Sequence, residues 1–258
     1  MRSSRLLSIS DSTMTPNCNY DRDLLVIDTE TTGVEGHHVI CQWGSILLDR
    51  QTLKEKSRFQ TLVRINSGDA GRASPEALAI HGIPLKKLMD PNHTMKFQDL
   101  PEAIREAHGD PQGYHIYGVH IHFDTFKLAR MCNKYKIEYP FPDARPISCR
   151  TYDLQAFWHA IGATLGLGWG NCALRGMARH WKIPFPEDHD ALNDCEITAE
   201  VQRRVMKMIQ PKGLIIPTSP ECPKCKGHML LKTNGKTGHQ FWGCAKYPVC
   251  KKTRNIKQ

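Results

Sequence analysis

Residues Leu24, Leu25, Val26 and Ile27 run directly into Asp28-Thr29-Glu30, so that an apolar stretch ends on two acids placed two positions apart. Four aliphatic side chains ahead of a turn-like Thr31-Thr32-Gly33 read as a buried strand. Period-two alternation then sends the side chains of Asp28 and Glu30 to one face. Two carboxylates leaving a buried strand on the same side are costly unless a cation neutralises them. A hard divalent ion such as Mg²⁺ binds through a few carboxylates while keeping waters and substrate phosphate in its shell. On its own, a D-x-E pair is equally a turn cap or a pair of surface acids.

This strand opens a β-rich stretch. His38-Val39-Ile40 and Ser45-Ile46-Leu47-Leu48 read as two further strands meandering in sequence, and residues 59–65 as a fourth. Ser74-Pro75-Glu76 starts a short helix, with Ser as its cap and Pro at its first position, and Gly82 ends it. Residues 114–118 read as another strand. Residues 123–135, 152–161, 173–181 and 191–208 carry helical periodicity. Early strands joined to later helices imply an α/β or α+β layer fold. The glycine-rich residues 166–170 lack both a GK[ST] signature and a preceding strand, so they read as a helix connection and not as a phosphate loop.

The chain of 258 residues has room for one catalytic domain and a satellite module. Residues 1–21, rich in Arg and Ser and without a secretory apolar core, are expected to be a disordered leader. A body at 22–208 and a proline-marked linker at 209–220 follow, then a small module at 221–258. The formal net charge of +9 sits in the last part, where residues 211–258 hold ten Lys or Arg against Glu221 alone. The remainder is balanced, with 25 side chains of each sign. A cationic tail of this kind implies a polyanionic partner, and no apolar run is long enough to cross a bilayer.

Six of the ten cysteines are scattered singly, which suits a reducing, cytoplasmic compartment. Cys222, Cys225, Cys244 and Cys250 instead form a spaced set that opens on a CxxC knuckle. Four thiolates so arranged make a closed, structural Zn²⁺ site able to fold a peptide too small for its own core. Phe241, Trp242 and Tyr247 offer faces on which bases could stack, among Lys236, Lys246, Lys251 and Lys252 that could meet phosphates. The competing reading is that these aromatics fill the module's own small core.

Two more acidic elements lie between. Phe123-Asp124 places an acid at a helix start, and His189-Asp190-Ala191-Leu192-Asn193-Asp194 places a histidine ahead of another helix. Each alone is also an ordinary helix N-terminus. Taken in order, DTETTG, FD and HxAxxD resemble the DEDDh family of 3′→5′ exonucleases, which includes polymerase proofreading subunits and exodeoxyribonuclease X. The likeness runs from about residue 22 to 207 and takes in Ser74 to Ile83. It implies a ribonuclease H-like fold, a mixed five-stranded sheet flanked by helices.

By the same resemblance two Mg²⁺ or Mn²⁺ ions are held by Asp28, Glu30, Asp124 and Asp194. Asp28 bridges them, Glu30 and Asp194 complete one site, and Asp124 supports the other. His189, on a mobile loop, acts as general base, and the backbone around Thr31 meets the terminal nucleotide. His81 lies near the site or is structural. One departure stands out: Val119-His120 takes the place of the family's His-Asn pair. The segment from Cys222 to Thr253 resembles the C-terminal zinc ribbons of bacterial type IA topoisomerases, which bind single-stranded DNA. The expected activity is removal of nucleotides from the 3′ end of DNA, single-stranded in preference. RNA 3′-end trimming and a catalytically dead binding module are the alternatives. A DNA polymerase or another replication or repair protein is the expected protein partner.

Overall fold

The computed structural model describes residues 22–141, 151–165, 172–187, 189–209, 220–227, 229–233 and 240–255. The expected leader, the glycine-rich connection at 166–170 and nearly all of the expected linker lie outside them. Strands β1 (Asp23–Thr31), β2 (Ile40–Leu48) and β3 (Glu55–Leu62) come first. Helices α1 (Ser67–Ala70), α2 (Pro75–His81), α3 (Leu85–Met89) and α4 (Leu100–His108) precede β4 (Tyr114–Gly118) and α5 (Ile121–Tyr135). Then come β5 (Thr151–Asp153), α6 (Leu154–Leu165), α7 (Leu174–His180) and α8 (Ala191–Ile209).

The strands form one mixed five-stranded sheet in the order β3-β2-β1-β4-β5. β1 is antiparallel to β2 and parallel to β4, so the C-terminal ends of β1 and β4 open at the same edge. The alternation expected of β1 is realised as two cores. Leu25 and Ile27 pack with Leu100, Ile104, Leu128 and Met131 of α4 and α5 on one face. Val26 packs with Trp158, Met177, Cys195 and Val201 of α6, α7 and α8 on the other. Asp28 and Glu30 continue the Val26 side, which α8 covers. Burial of each such aliphatic side chain stabilises by roughly 1.5–3 kcal/mol, and this double layer holds the acid-bearing end of β1 in place.

Several expected elements shift. The two strands read at 38–40 and 45–48 are one strand, β2, buried along its whole length; between them Gln42 and Gly44 both serve contacts to α8. The strand read at 59–65 runs Glu55–Leu62 instead, its outward charges marking it as the sheet edge. The helix read from 152 begins at Leu154, because Thr151–Asp153 pairs with β4 as the other edge strand. Helix α4 was not read at all. Its signal is Leu100, Ile104 and His108, buried at i, i+4 and i+8. The helix of residues 75–81 is as expected, with Ser74 Oγ capping Ala77 N–H and Gly82 in the left-handed conformation at φ 65°.

Strands β6 (Met229–Thr233), β7 (Gln240–Cys244) and β8 (Thr253–Asn255) make a second, antiparallel sheet in the order β6-β7-β8. Its core is Cys222, Met229, Trp242, Cys244 and Cys250.

Candidate active site

Asp28 pairs across the sheet with Gly44, and Glu30 with Gln42. Helix α8 crosses β2 here so closely that a Cβ on Gly44 would stand 2.4 Å from the Ala191 carbonyl carbon. Glycine permits that approach, and it brings the first turn of α8 over the strand end. Gln42 fixes the helix start: its Nε2 donates to Asp190 Oδ2 at 2.8 Å and its Oε1 accepts the Ala191 N–H at 3.1 Å. Gln60 on β3 donates to the same Asp190 oxygen at 2.6 Å, and Asp190 Oδ1 accepts the Asn193 N–H at 3.1 Å. Asp190 is thereby used as a helix cap. Asp194, one turn further, is left facing Glu30.

Asp124 enters from the other side, in the first turn of α5, and is buried. Its Oδ1 accepts a hydrogen bond from Thr29 Oγ1 at 2.6 Å. The residue before α5, His120, adopts φ 53°. That left-handed conformation suits asparagine and histidine far better than most residues. The Val119-His120 departure therefore keeps the backbone bend that delivers Asp124.

His189 is held at three points. Its backbone N–H donates to Ile80 O at 3.1 Å, its Nδ1 donates to Asp194 Oδ2 at 3.0 Å, and its ring lies edge-on to Phe185 at 5.7 Å. The end of α2 thus bears directly on the site. His81 is structural: it is buried, with Nδ1 accepting the Ile83 N–H at 3.0 Å and Nε2 facing Cys41 Sγ at 3.8 Å. Thr31 is buried and donates its hydroxyl to Gly33 O at 3.0 Å. The turn that follows is clamped from α5 by Lys127, 2% exposed, whose Nζ donates to the carbonyls of Gly33 and Glu35. Burial pushes that ammonium down to about 8. Neither the glutamine bracket nor this clamp was foreseen.

The acids repel one another. Burial first, then Asp124, Asp194, Glu30 and Asp190, hold Asp28 well above the usual carboxylate range. Burial and Asp194 raise Glu30 to about 7, and burial raises Asp124 to about 7 against the lowering effect of the Thr29 hydrogen bond. Asp194 Oδ1 is buried and has no hydrogen-bond partner among the described residues. Ligand atoms of Glu30, His189 and Asp194 all lie within 4.8 Å of one another. An orphaned carboxylate oxygen among crowded acids fits a divalent cation, which alone would let them all ionise.

In the second sheet the four cysteine Sγ atoms lie within 4.8 Å of one another. Cys222 and Cys250 are 3.7 Å apart, Cys225 and Cys244 3.5 Å. These separations are far too long for S–S bonds. They match the edges of about 3.8 Å of a tetrahedron with Zn–S near 2.3 Å. Trp242 is 7% exposed and packs in this core, which corrects its expected role as a stacking face: so small a unit has little else to bury. Tyr247 is 61% exposed, with Lys232 Nζ 5.6 Å from its ring centre, and Phe241 is half-buried.

Clustered carboxylates at the open edge of a mixed sheet define a candidate site for divalent cations. The sequence model described as Exonuclease matches residues 25–202, more than half of the chain, and the protein belongs to that family. The C-terminal part is similar to a second family, since the model described as Topoisomerase DNA binding C4 zinc finger matches residues 219–258.

Similar folds include exonuclease I from Methylocaldum szegediense, at 20% identity and TM-score 0.59, covering 74% of this chain and 41% of that one. The nuclease domain of 3′hExo, a DEDDh family member bound to rAMP, matches at 17% and 0.56, covering 73% and 94%. E. coli exonuclease I in complex with a dT13 oligonucleotide matches at 16% and 0.60, covering 89% and 53%. At these identities the likeness is one of fold. DNA topoisomerase 1 of Pyrococcus horikoshii is 37% identical over 65 residues, and that of Pyrococcus furiosus 47% over 65 residues. Each match covers 25% of this chain but only 9% and 6% of the topoisomerases. No helix among the described residues is long and apolar enough to cross a membrane.

Proposed function

We propose that the protein removes nucleotides from the 3′ end of single-stranded DNA. The observation that carries this reading is the convergence of Glu30, Asp194 and His189 within 4.8 Å, beside Asp28 and the Thr29-anchored Asp124. Asp28, Glu30, Asp124 and Asp194 would hold two Mg²⁺ or Mn²⁺ ions. Such ions supply a nucleophilic water at neutral pH and offset the charge on the departing 3′ oxygen. His189 accepts the proton of the attacking water, oriented for it by Ile80 O and Phe185. The backbone around Thr31, steadied by Lys127, meets the terminal nucleotide. A DNA strand is favoured over RNA by the description of the ribbon's family model as DNA-binding. In the ribbon Phe241 and Tyr247 stack bases beside Lys232, Lys246, Lys251 and Lys252, around a structural Zn²⁺. A reducing, cytoplasmic compartment, with a polymerase or repair protein as partner, belongs to the same reading.

The test is a time course on 3′-labelled and 5′-labelled single strands, duplex DNA and RNA with Mg²⁺ or Mn²⁺. The 3′ label should leave at once as mononucleotide while the 5′ label descends a ladder. Release from the 5′ end would overturn the polarity, and faster cleavage of RNA the substrate. In the same assay His189→Ala should lower turnover by roughly 10²- to 10⁴-fold with KM little changed, and added imidazole should restore part of it.

A further inference from the structure

Beyond the acids, α7 and the segment leading to His189 enclose a concavity of about 530 Å³ lined by Arg175, Arg179, Lys182, Phe185 and Glu187. Three cations face one acid there, in a body whose charges otherwise balance. Two other concavities differ. One, of about 340 Å³, sets Glu102, Asp110 and Glu138 against Arg105. The other, of about 640 Å³, also sets three cations, Arg203, Arg204 and Lys207, against one acid, but there Glu200 pairs with both arginines, at 3.4 and 2.7 Å.

In the first concavity the side chains of Arg179 and Lys182 make no ion pair or hydrogen bond among the described residues. Arg175 lies over the Phe185 ring at 5.0 Å, and that ring touches the imidazole of His189 at 5.7 Å. Arg175, whose Nη2 also donates to Glu187 O at 3.4 Å, is thus joined to the reacting centre by one aromatic ring, and the unpaired Arg179 and Lys182 line the same concavity.

We infer that this concavity grips phosphates of the single strand upstream of the nucleotide being removed. The inference rests on the exonuclease reading of the acid cluster for the position of the strand's end. Charge complementarity names the occupant. Two free cations beside an Arg on an aromatic face suit a chain of phosphodiesters, which crosses a concavity several ångströms wide and needs no sequence-specific partner. The body then contributes its own hold on the strand, independent of the ribbon.

The test uses the full chain and oligothymidylates from two to eight residues, with Arg179→Gln/Lys182→Asn as the variant. Both positions are exposed, and Asn tolerates the left-handed backbone of residue 182, φ 53°. The variant should raise KM for the longer strands by about 5- to 20-fold, and the salt slope of binding to a phosphorothioate-ended octamer should become shallower by about one to one and a half, at roughly 0.7 per contact. Turnover, and KM for the dinucleotide, should stay within twofold.

Glu187→Gln should act oppositely and tighten the longer strands, a gain that misfolding cannot produce. Unchanged KM and salt slope in the double variant, or no gain in Glu187→Gln, would overturn the inference. If the wild-type chain cuts no strand from its 3′ end, the exonuclease reading fails. The affinity and salt measurements then still decide whether the concavity binds strands.

Discussion

Thr29 donates its hydroxyl hydrogen to Asp124 Oδ1 at 2.6 Å, tying the strand that carries Asp28 and Glu30 to the helix that carries the fourth acid. The bond spans 95 positions of sequence, and it lowers the pKa of a carboxyl that burial nonetheless raises to about 7. Thr29→Val keeps the shape and removes the donor. Asp124 should then be harder to ionise and hold metal less well. The expected result is a roughly 5- to 30-fold higher Mg²⁺ requirement in a rate titration, with a stability loss of about 1–2 kcal/mol in urea unfolding. An unchanged Mg²⁺ dependence would mean that Asp124 does not act through a cation.

Crowding of the acids makes a second prediction with an unusual sign. Asp28 is held well above the usual carboxylate range by burial and its acidic neighbours, so ionising it without a metal costs stability. Asp28→Asn should leave the metal-free melting temperature equal to or above that of the wild type while abolishing cleavage. Mg²⁺ should stabilise the wild type, by about 2.7 kcal/mol at a hundredfold excess over its Kd, and the variant far less. Thermal melts with and without Mg²⁺ measure this. A variant that melts well below the metal-free wild type would show Asp28 to be structural.

What could be read from the chain was local. Asp28 and Glu30 share a strand, Ser74, Pro75 and Gly82 bracket one helix, and the cysteines sit at metal spacing, so each signal fits within a few tens of residues. Contacts made by polar side chains across the fold were silent. Gln42 and Gln60 carry no local signal of a role, yet both bind Asp190 and so set the start of α8. The strand reads in two pieces around Gly44, because nothing local shows that a helix backbone will press against this glycine. Trp242 read as a stacking face because the size of the unit it must fill is a tertiary property.

His108 gives the pH dependence of stability. It is buried between two hydroxyls, Nε2 2.9 Å from Ser45 Oγ and Nδ1 2.7 Å from Ser57 Oγ, and burial pushes it down to about 4. The unfolded chain binds this proton below about 6.5, whereas the folded one stays neutral until about 4. The contribution is therefore complete above about pH 6.5 and is lost as pH falls toward 4. By linkage, roughly 2 kcal/mol should go between pH 7.5 and 5. Comparing urea unfolding of wild type and His108→Gln at both pH values isolates it, since the active-site acids contribute equally to both. The gap between the two proteins should shrink by that amount at pH 5, and a constant gap would contradict the assignment.

The ribbon's charge sets the last prediction. Its nine basic residues, less Glu221 and the −2 of a Zn(Cys)₄ centre, leave about +6 near neutral pH. If three or four of those cations meet phosphates, the ribbon adds a salt slope of roughly −2 to −3 to single-strand binding, at about −0.7 per contact. Between 50 and 200 mM salt that component weakens binding roughly 15- to 60-fold. Ending the chain after Ser219 should remove this part of the slope and lower affinity for long strands, while cleavage of very short strands persists because the acids and His189 remain. Tyr247→Ala in the full chain should weaken long-strand binding by about 1–3 kcal/mol without changing the slope, because a stacked ring carries no charge. Affinity against salt on one long oligonucleotide compares the three proteins. Equal slopes for full-length and shortened chains would show that the ribbon does not hold the strand, and would leave docking to another protein as its use.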